Sequence, residues 1–148
     1  MSGDWCLVSV CTQVGDEFGG ELDKLIVMKG YQKFIAWQRS IDLVEAIYLL
    51  SVHLPDDERF GLTSQMRRAA VSVPANIAEG YGRSHRAEFR QFLSVARGSL
   101  HELQTHLIVA GRLKMITKAQ ARDAWTLSEE IGKTLTRTIQ TLGNVPEK

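Results

Sequence analysis

The sequence predicts an all-α domain, an up-down-up-down four-helix bundle whose second helix is kinked at a proline. Four segments of roughly 20 residues, each roughly 30 Å long as a helix, carry apolar residues at steps of three and four. Short segments rich in Gly, Pro, Asp and Ser separate them. After residue 28 no segment alternates between apolar and polar residues as a strand does.

The first helix is expected over about residues 34–53 and ends before Pro55. It carries two apolar stripes, although a bundle helix needs to bury only one. The first stripe contains Trp37, Ile41, Val44, Tyr48 and Val52, and the second contains Leu43, Ile47, Leu50 and Leu54. Because exposed apolar patches of this size mark interfaces, the extra stripe predicts a homo-oligomer.

The second helix is expected to begin at Thr63 or Ser64, either of which can cap it, and to end near Gly80 and Gly82. Its expected core positions are Met66, Ala70, Val73 and Ile77.

The third helix is expected to begin after a Ser84 cap and to end at Gly111. Its predicted bundle seam contains Phe89, Phe92, Ala96, Leu100, Leu103, Leu107 and Ala110. Thr117 is predicted to cap the fourth helix, which Gly143 and Pro146 end. The seam of that helix contains Ala124, Leu127, Ile131, Leu135, Ile139 and Leu142.

The stretch VSVPANIAEGYGRS places a proline inside the second helix. Pro74 has no N–H to donate, and its ring displaces the carbonyl of Ala70. Either a kinked helix continues through Pro74, or Pro74 lies in the first turn of a new helix. The small residues around Pro74 favour the continuous helix, because they allow a neighbouring helix to approach closely.

Asn76, Glu79 and Arg83 follow at steps of three and four, so they share a face. One interpretation is a catalytic base at Glu79 that Asn76 orients. No nucleophile or metal ligand has matching spacing, so we favour the alternative. In that alternative Asn76 and Glu79 bond backbone groups near the kink and Glu79 pairs with Arg83. The structural motif is therefore Pro74, Asn76, Glu79 and Gly80, and no catalytic residue, metal site or cofactor is predicted.

Positive charge is concentrated in one part of the chain. The net charge is +1 overall, yet six arginines against two glutamates give +4 between residues 63 and 98. Arginine forms forked contacts with phosphate, which makes these residues the candidate nucleic-acid-binding set. The set is Arg67, Arg68, Arg83, Arg86, Arg90 and Arg97. We call the last four the arginine stripe, because their steps of 3, 4 and 7 predict one helix face. The alternative is a solvated face whose arginines pair with acids on other helices or subunits.

Residues 1–28 lack the periodicity of the rest and are expected to be an N-terminal extension, with Met28 as the usual start and residues 29–148 as the bundle domain. The alternative is a short strand or helix that packs on the domain. Cys6 and Cys11 both lie in this segment, so no disulfide framework is predicted. No apolar run approaches the roughly 20 residues of a membrane helix, and no signal peptide is evident, so a cytoplasmic location is expected.

The segments QMRRAAVSVPANIAEG and ARGSLHEL closely resemble the four-helix-bundle proteins encoded in 23S ribosomal RNA intervening sequences. The resemblance extends from about Tyr31 to Leu142 and leaves residues 1–28 outside. It implies an up-down bundle that assembles as a ring-like pentamer. It also implies a distant relation to the accessory protein of diversity-generating retroelements, which binds nucleic acid and a reverse transcriptase. It supplies no established biochemical activity.

Together these features predict a non-enzymatic homo-oligomer that binds nucleic acid through its arginines. RNA is the expected ligand, and DNA is the alternative ligand. The alternative is a protein-interaction module that docks a partner such as a polymerase or reverse transcriptase. A third hypothesis is an enzyme built around Glu79.

Overall fold

The computed structural model describes residues 30–144 and contains four α-helices in that range. They are α1 (Ile35–Ser51), α2 (Leu62–Tyr81), α3 (Arg86–Arg112) and α4 (Lys118–Gly143). Short 3-10 turns at Gly30–Lys33 and Asp56–Glu58 precede α1 and α2. The expected N-terminal extension with Cys6 and Cys11 lies outside the described residues, as does Pro146.

The four helices pack in a closed cycle. α1 contacts α2 and α4, and α3 also contacts α2 and α4. Because the connections are short, consecutive helices run antiparallel. The predicted up-down-up-down bundle is therefore confirmed. No helix within residues 30–144 combines the length and hydropathy that a bilayer crossing requires.

The core follows the predicted apolar seams in most positions. In α2, Met66, Ala70, Val73 and Ile77 are fully buried, as predicted. In α4 the buried residues are Ala124, Leu127, Ile131, Leu135 and Ile139, with Leu142 packed at the edge. In α1 the buried stripe is the one containing Leu43, Ile47, Leu50 and Leu54.

The first turns of α3 depart from the predicted seam. Leu93 is fully buried there, whereas Phe89 and Phe92 are only half-buried. The cause is Gly80 of α2, where an added Cβ would lie 2.5 Å from the Phe92 Cβ. Because α2 is so close, the Phe92 ring lies outside the core, where the Arg83 Cζ is 4.9 Å from its centroid.

The predicted cap of α2 at Thr63 or Ser64 is wrong. The helix begins at Leu62, so both hydroxyl residues already lie in its first turn. The Leu62 N–H instead donates to Glu58 Oε2 at 2.8 Å, from the preceding 3-10 turn. A carboxylate at a helix N-terminus is stabilising in the same way as a capping hydroxyl.

Both predicted ends of α3 are also shifted. His85, not Ser84, precedes the helix, and its side chain forms no capping hydrogen bond. At the other end the helix continues past Gly111 to Arg112. Lys114 adopts a φ of 57°, and the Met115 N–H donates to the Ala110 carbonyl at 2.9 Å, which is the usual left-handed termination of a helix. A lysine here gives no sequence signal for such a turn.

The N-terminus of α4 is confirmed. Thr117 Oγ1 accepts from the Gln120 N–H at 3.2 Å, and Gln120 Oε1 accepts from the Thr117 N–H at 2.8 Å. This reciprocal pair is a capping box, which satisfies two N–H groups that the helix itself cannot.

α2 runs without interruption through the buried Pro74, as the kinked-helix interpretation predicted. The proline supplies no donor to the Ala70 carbonyl. Two residues further on, Asn76 Nδ2 donates to the Ser72 carbonyl at 2.7 Å and to Ser72 Oγ at 3.0 Å. Ser72 Oγ lies 2.8 Å from Ser99 Oγ of α3, so this polar group joins the proline-containing part of α2 to its neighbour.

We predict that Gly80→Ala lowers the free energy of unfolding by about 1–3 kcal/mol, because the added methyl group overpacks the contact between α2 and α3. The matched control is Gly98→Ala in α3, where an added Cβ meets nothing within 4 Å. That control should raise the free energy of unfolding by about 0.5–1 kcal/mol, the helix-propensity gain of alanine over glycine. Urea unfolding measures both variants, and equal effects would contradict the close approach at Gly80.

Candidate nucleic-acid interface

Three residues of the arginine stripe lie on one face of α3, at the side that borders α4. Arg86, Arg90 and Arg97 are spaced by 4 and 7 residues within the helix, so their side chains share that face. Arg97 Nη1 donates to Thr136 Oγ1 of α4 at 3.4 Å. A Cβ at Gly143 would lie 3.1 Å from the Arg90 Cζ, so this guanidinium lies against the carboxyl end of α4. A cation is favourable there because the helix dipole is negative at that end.

The surface between α3 and α4 is concave and continues this positive charge. A cavity of about 430 Å³ is lined by His101, Gly132, Lys133, Thr136, Arg137 and Gln140. We call the surface formed by Arg90, Arg97, His101, Lys133 and Arg137 the cationic groove. None of the residues that line its cavity is acidic. Within residues 30–144, none of its arginines or its lysine forms an ion pair.

Lys133 and Arg137 were not among the nucleic-acid-binding residues predicted from the sequence. They are exposed and four residues apart in α4, which places them on one helix face. That spacing was visible in the sequence, but their position opposite Arg97 depends on the register between α3 and α4. Glu129 and Glu130 lie one turn before Lys133, so the positive region ends on that side.

Arg83 does not belong to the same face as the rest of the arginine stripe. It lies in the turn between Gly82, the C-cap of α2, and Arg86, the first residue of α3. The step of three from Arg83 to Arg86 therefore crosses a turn, where helical spacing does not apply. Its guanidinium pairs with Glu79 at 2.6 Å and covers the Phe92 ring. For Arg83 the stripe prediction is wrong, and the alternative of a surface ion pair is what the structure contains.

Arg67 and Arg68 lie elsewhere again, in the first half of α2, with Arg67 about 20 Å along the helix from Tyr81. Arg67 Nε donates to Ser51 Oγ at 2.9 Å, and its Cζ is 4.7 Å from the centroid of the Tyr48 ring. These residues belong to a second cavity of about 680 Å³, which we call the α1–α2 groove. The groove is lined by Tyr48, Arg59, Phe60, Thr63, Ser64, Arg67, Arg68, Val71 and Ser72.

The α1–α2 groove adjoins the first apolar stripe of α1, since Tyr48 belongs to both. Within that stripe Ile41 and Tyr48 are almost half exposed, and Val52 is 71% exposed. Phe60, which lines the groove, is 87% exposed, and the Arg59 Cζ lies 5.4 Å from its ring centroid. We call Ile41, Tyr48, Val52, Phe60 and Val71 the outer apolar face. The expectation that α1 carries more apolar surface than one bundle buries is thus confirmed at Ile41, Tyr48 and Val52, whereas Trp37 and Val44 pack against the core.

The motif around Pro74 has structural partners. Asn76 bonds the Ser72 carbonyl and Glu79 pairs with Arg83, both as predicted. The predicted backbone bond of Glu79 is wrong, since within residues 30–144 its side chain bonds only Arg83. Its side chain is 54% exposed and extends along the surface. The same part of the chain holds no cluster of three His, Cys, Asp or Glu residues that could bind a metal ion.

The family model described as 23S rRNA-intervening sequence protein matches residues 32–137 of this chain. Among solved structures, the chain is similar to the crystal structure of a protein of unknown function from the S23 ribosomal protein family of Bacteroides thetaiotaomicron. The TM-score is 0.66 at 27% sequence identity, over 71% of this chain and 98% of that one. No curated protein matches this chain. The range of the family match contains α1, α2, α3 and most of α4, including every member of the cationic groove.

We predict that Asn76→Ala lowers the free energy of unfolding by about 1–2 kcal/mol, because Asn76 donates two hydrogen bonds that tie α2 to the Ser72–Ser99 pair. The control is the isosteric change Glu79→Gln, which should cost only about 0.2–1 kcal/mol, because it removes a single exposed ion pair. Thermal unfolding measures both. A larger loss for Glu79→Gln than for Asn76→Ala would show that Glu79 does more than pair with Arg83.

Proposed function

The chain belongs to the 23S rRNA-intervening sequence protein family, and on that premise we propose that it is a non-enzymatic homo-oligomer that binds RNA through the cationic groove. Neither the family's description nor that of the Bacteroides relative, a protein of unknown function, includes an enzymatic reaction. The proposal places the protein in the cytoplasm, together with its RNA.

One observation carries the nucleic-acid part of the proposal. Lys133 and Arg137 line the concave surface between α3 and α4, and Arg97 bonds Thr136 of the same lining. Arg90 lies farther along, against Gly143, and none of these four cations forms an ion pair within residues 30–144. Cations that lie together without anionic partners attract an external polyanion, because each phosphate they contact releases bound counterions. The net charge of only +1 makes this concentration of positive charge local.

The chemistry of the groove favours contacts with the backbone of a nucleic acid over contacts with bases. Guanidinium and ammonium groups bind phosphate oxygens, which position a strand but carry no sequence information. We therefore propose binding that is largely independent of sequence. RNA is preferred to DNA in this proposal because the family is described by its connection with 23S rRNA.

The outer apolar face supports the homo-oligomeric part of the proposal. Its five residues are exposed, and Tyr48, Phe60 and Val71 line one cavity together with three arginines. Exposed apolar and aromatic side chains beside arginine are typical of an interface core. The α1–α2 groove beside that face holds Arg59, Arg67 and Arg68. A ring, which the family resemblance implies as a pentamer, would repeat the cationic groove in every subunit and multiply weak phosphate contacts.

A second candidate function is a protein-interaction module, and the α1–α2 groove favours it. Phe60 is 87% exposed, while Ser51 and Tyr48 hold the Arg67 guanidinium in place, so an aromatic anchor and an oriented cation lie side by side. Aromatic and arginine residues dominate binding energy at protein interfaces. In this alternative the face docks a partner such as a polymerase or reverse transcriptase, and the distant relation to the retroelement accessory protein stays a prediction.

We predict that replacing Arg97, Lys133 and Arg137 together by Gln weakens RNA binding and flattens its salt dependence. Loss of three phosphate contacts should reduce the slope of log affinity against log salt by about 2–3. The matched control replaces Lys33, Arg39 and Lys114 by Gln, which removes the same charge from other surfaces. Gel-shift titrations at several salt concentrations measure both. Equal weakening by the two triple variants, or no binding at low salt, would contradict the proposal.

We also predict that Val52→Asp dissociates the oligomer, because a carboxylate on the outer apolar face must lose its water when the interface forms. The matched control is Leu113→Asp, which places the same charge at another exposed leucine, 60% accessible, in the turn between α3 and α4. Light scattering at micromolar concentration gives the mass of each variant. A monomeric wild type would contradict the proposed assembly. A monomeric Leu113→Asp variant together with an oligomeric Val52→Asp variant would show that the interface is not the outer apolar face.

A further inference from the structure

A second cavity between α3 and α4 lies near the turn that joins them. Its volume is about 650 Å³, and Ile108, Ile116 and Trp125 are among the apolar residues that line it. Its basic lining residues are Arg112, Lys118 and Arg122. We call it the Trp125 pocket. It combines an apolar floor with a positive rim, so it suits a ligand that has an apolar body and an anionic group.

The charged residues that line the pocket are all basic. No acidic residue lines it, and within residues 30–144 none of its three cations forms an ion pair. The N-terminus of α4 at Lys118 adds the positive end of a helix dipole. An anion gains from both contributions, whereas a neutral apolar ligand gains from neither.

The Trp125 pocket and the cationic groove lie on the same flank of the bundle. In α4, Trp125, Gly132 and Thr136 follow at steps of seven and four, which keeps them on one helix face. Gly132 and Thr136 line the groove, and Trp125 lines the pocket. Lys133 and Arg122 are eleven residues apart, about 16 Å along the helix. Glu129 and Glu130 lie between these two basic regions along α4. One bound strand of the usual site size, about 4–16 nucleotides, is long enough to pass them and contact both regions.

We propose that the Trp125 pocket takes an unpaired base of the bound RNA, stacked on the indole of Trp125, while Arg112, Lys118 and Arg122 contact the phosphates on either side. Aromatic rings beside cations are how proteins hold single strands without reading their sequence. The inference rests on the proposed function and refines it. It makes single-stranded or looped RNA the preferred ligand, because the bases of a duplex are stacked inside and cannot enter the pocket.

The experiment fills the pocket with a side chain of the protein itself. Gly111 lines the pocket, and an added Cβ there meets nothing within 4 Å. Gly111→Leu should therefore fold and occupy the space of the base. Gly98→Leu is the matched control, since Gly98 is also exposed in α3 with open space around it but lines no part of the pocket. The probes are an oligouridylate of about twelve nucleotides and a fully paired RNA duplex of the same length.

We expect Gly111→Leu to weaken binding of the oligouridylate by about 5- to 100-fold, the effect of losing one base stack, and to leave duplex binding unchanged. Gly98→Leu should leave both unchanged. A second variant, Arg112→Gln with Arg122→Gln, should weaken oligouridylate binding more than Lys33→Gln with Arg39→Gln does, and it tests the pocket without altering its apolar floor.

The possible failures are distinguishable. Oligouridylate binding that is unaffected by both pocket variants overturns this inference and leaves the proposed function standing. Equal weakening of oligouridylate and duplex by Gly111→Leu also overturns it, because a duplex offers no base to the pocket. Absence of binding to either RNA at low salt refutes the proposed function and the inference together.

Discussion

The register of α3 against α4 determines where the proposed RNA-binding side chains lie. At its centre Ser128, which is fully buried, accepts a hydrogen bond from Gln104 Nε2 at 3.0 Å and donates to the Trp125 carbonyl at 2.7 Å. One turn away Leu100 packs on Gly132, where a Cβ would lie 3.4 Å from Leu100 Cδ2. The bond to Trp125 lies within α4, so a shift of either helix would break only the Gln104–Ser128 hydrogen bond and would separate Leu100 from Gly132. The same register brings Arg97 to Thr136 and so forms the cationic groove.

The two sides of the bundle present different chemistry. The outer apolar face and the α1–α2 groove expose large apolar and aromatic groups, which lose unfavourable contact with water when another protein surface covers them. The cationic groove and the Trp125 pocket, between α3 and α4, hold lysines and arginines that form no ion pair within residues 30–144. α2 and α3 approach each other closely, because Gly80 has no side chain and the Ser72–Ser99 pair bridges the two helices. Assembly and RNA binding therefore use separate surfaces in this account, and a ring can form without covering its phosphate-binding groups.

The sequence was sufficient for the helices, the bundle and most of the core, because apolar periodicity depends on one helix at a time. It failed where a position depends on two elements. Arg83 looked like part of the α3 stripe because its spacing fits, but the chain between Gly82 and Arg86 is a turn. Glu58 rather than Thr63 or Ser64 bonds the start of α2, since the preceding turn brings its carboxylate to the Leu62 N–H. Lys133 and Arg137 join Arg97 only through the packing of α4 on α3, which no local pattern encodes.

The most direct test of the account asks which surface RNA covers. The described lysines Lys33, Lys114, Lys118 and Lys133 are all exposed and lie on different parts of the bundle. Modification by an amine-reactive reagent, followed by mass spectrometry, measures the accessibility of each with and without a single-stranded RNA. We predict that RNA protects Lys133 of the cationic groove and Lys118 of the Trp125 pocket, while Lys33 stays reactive. Protection of Lys33 with Lys133 still fully reactive would contradict it, because RNA would then bind a surface other than the flank between α3 and α4.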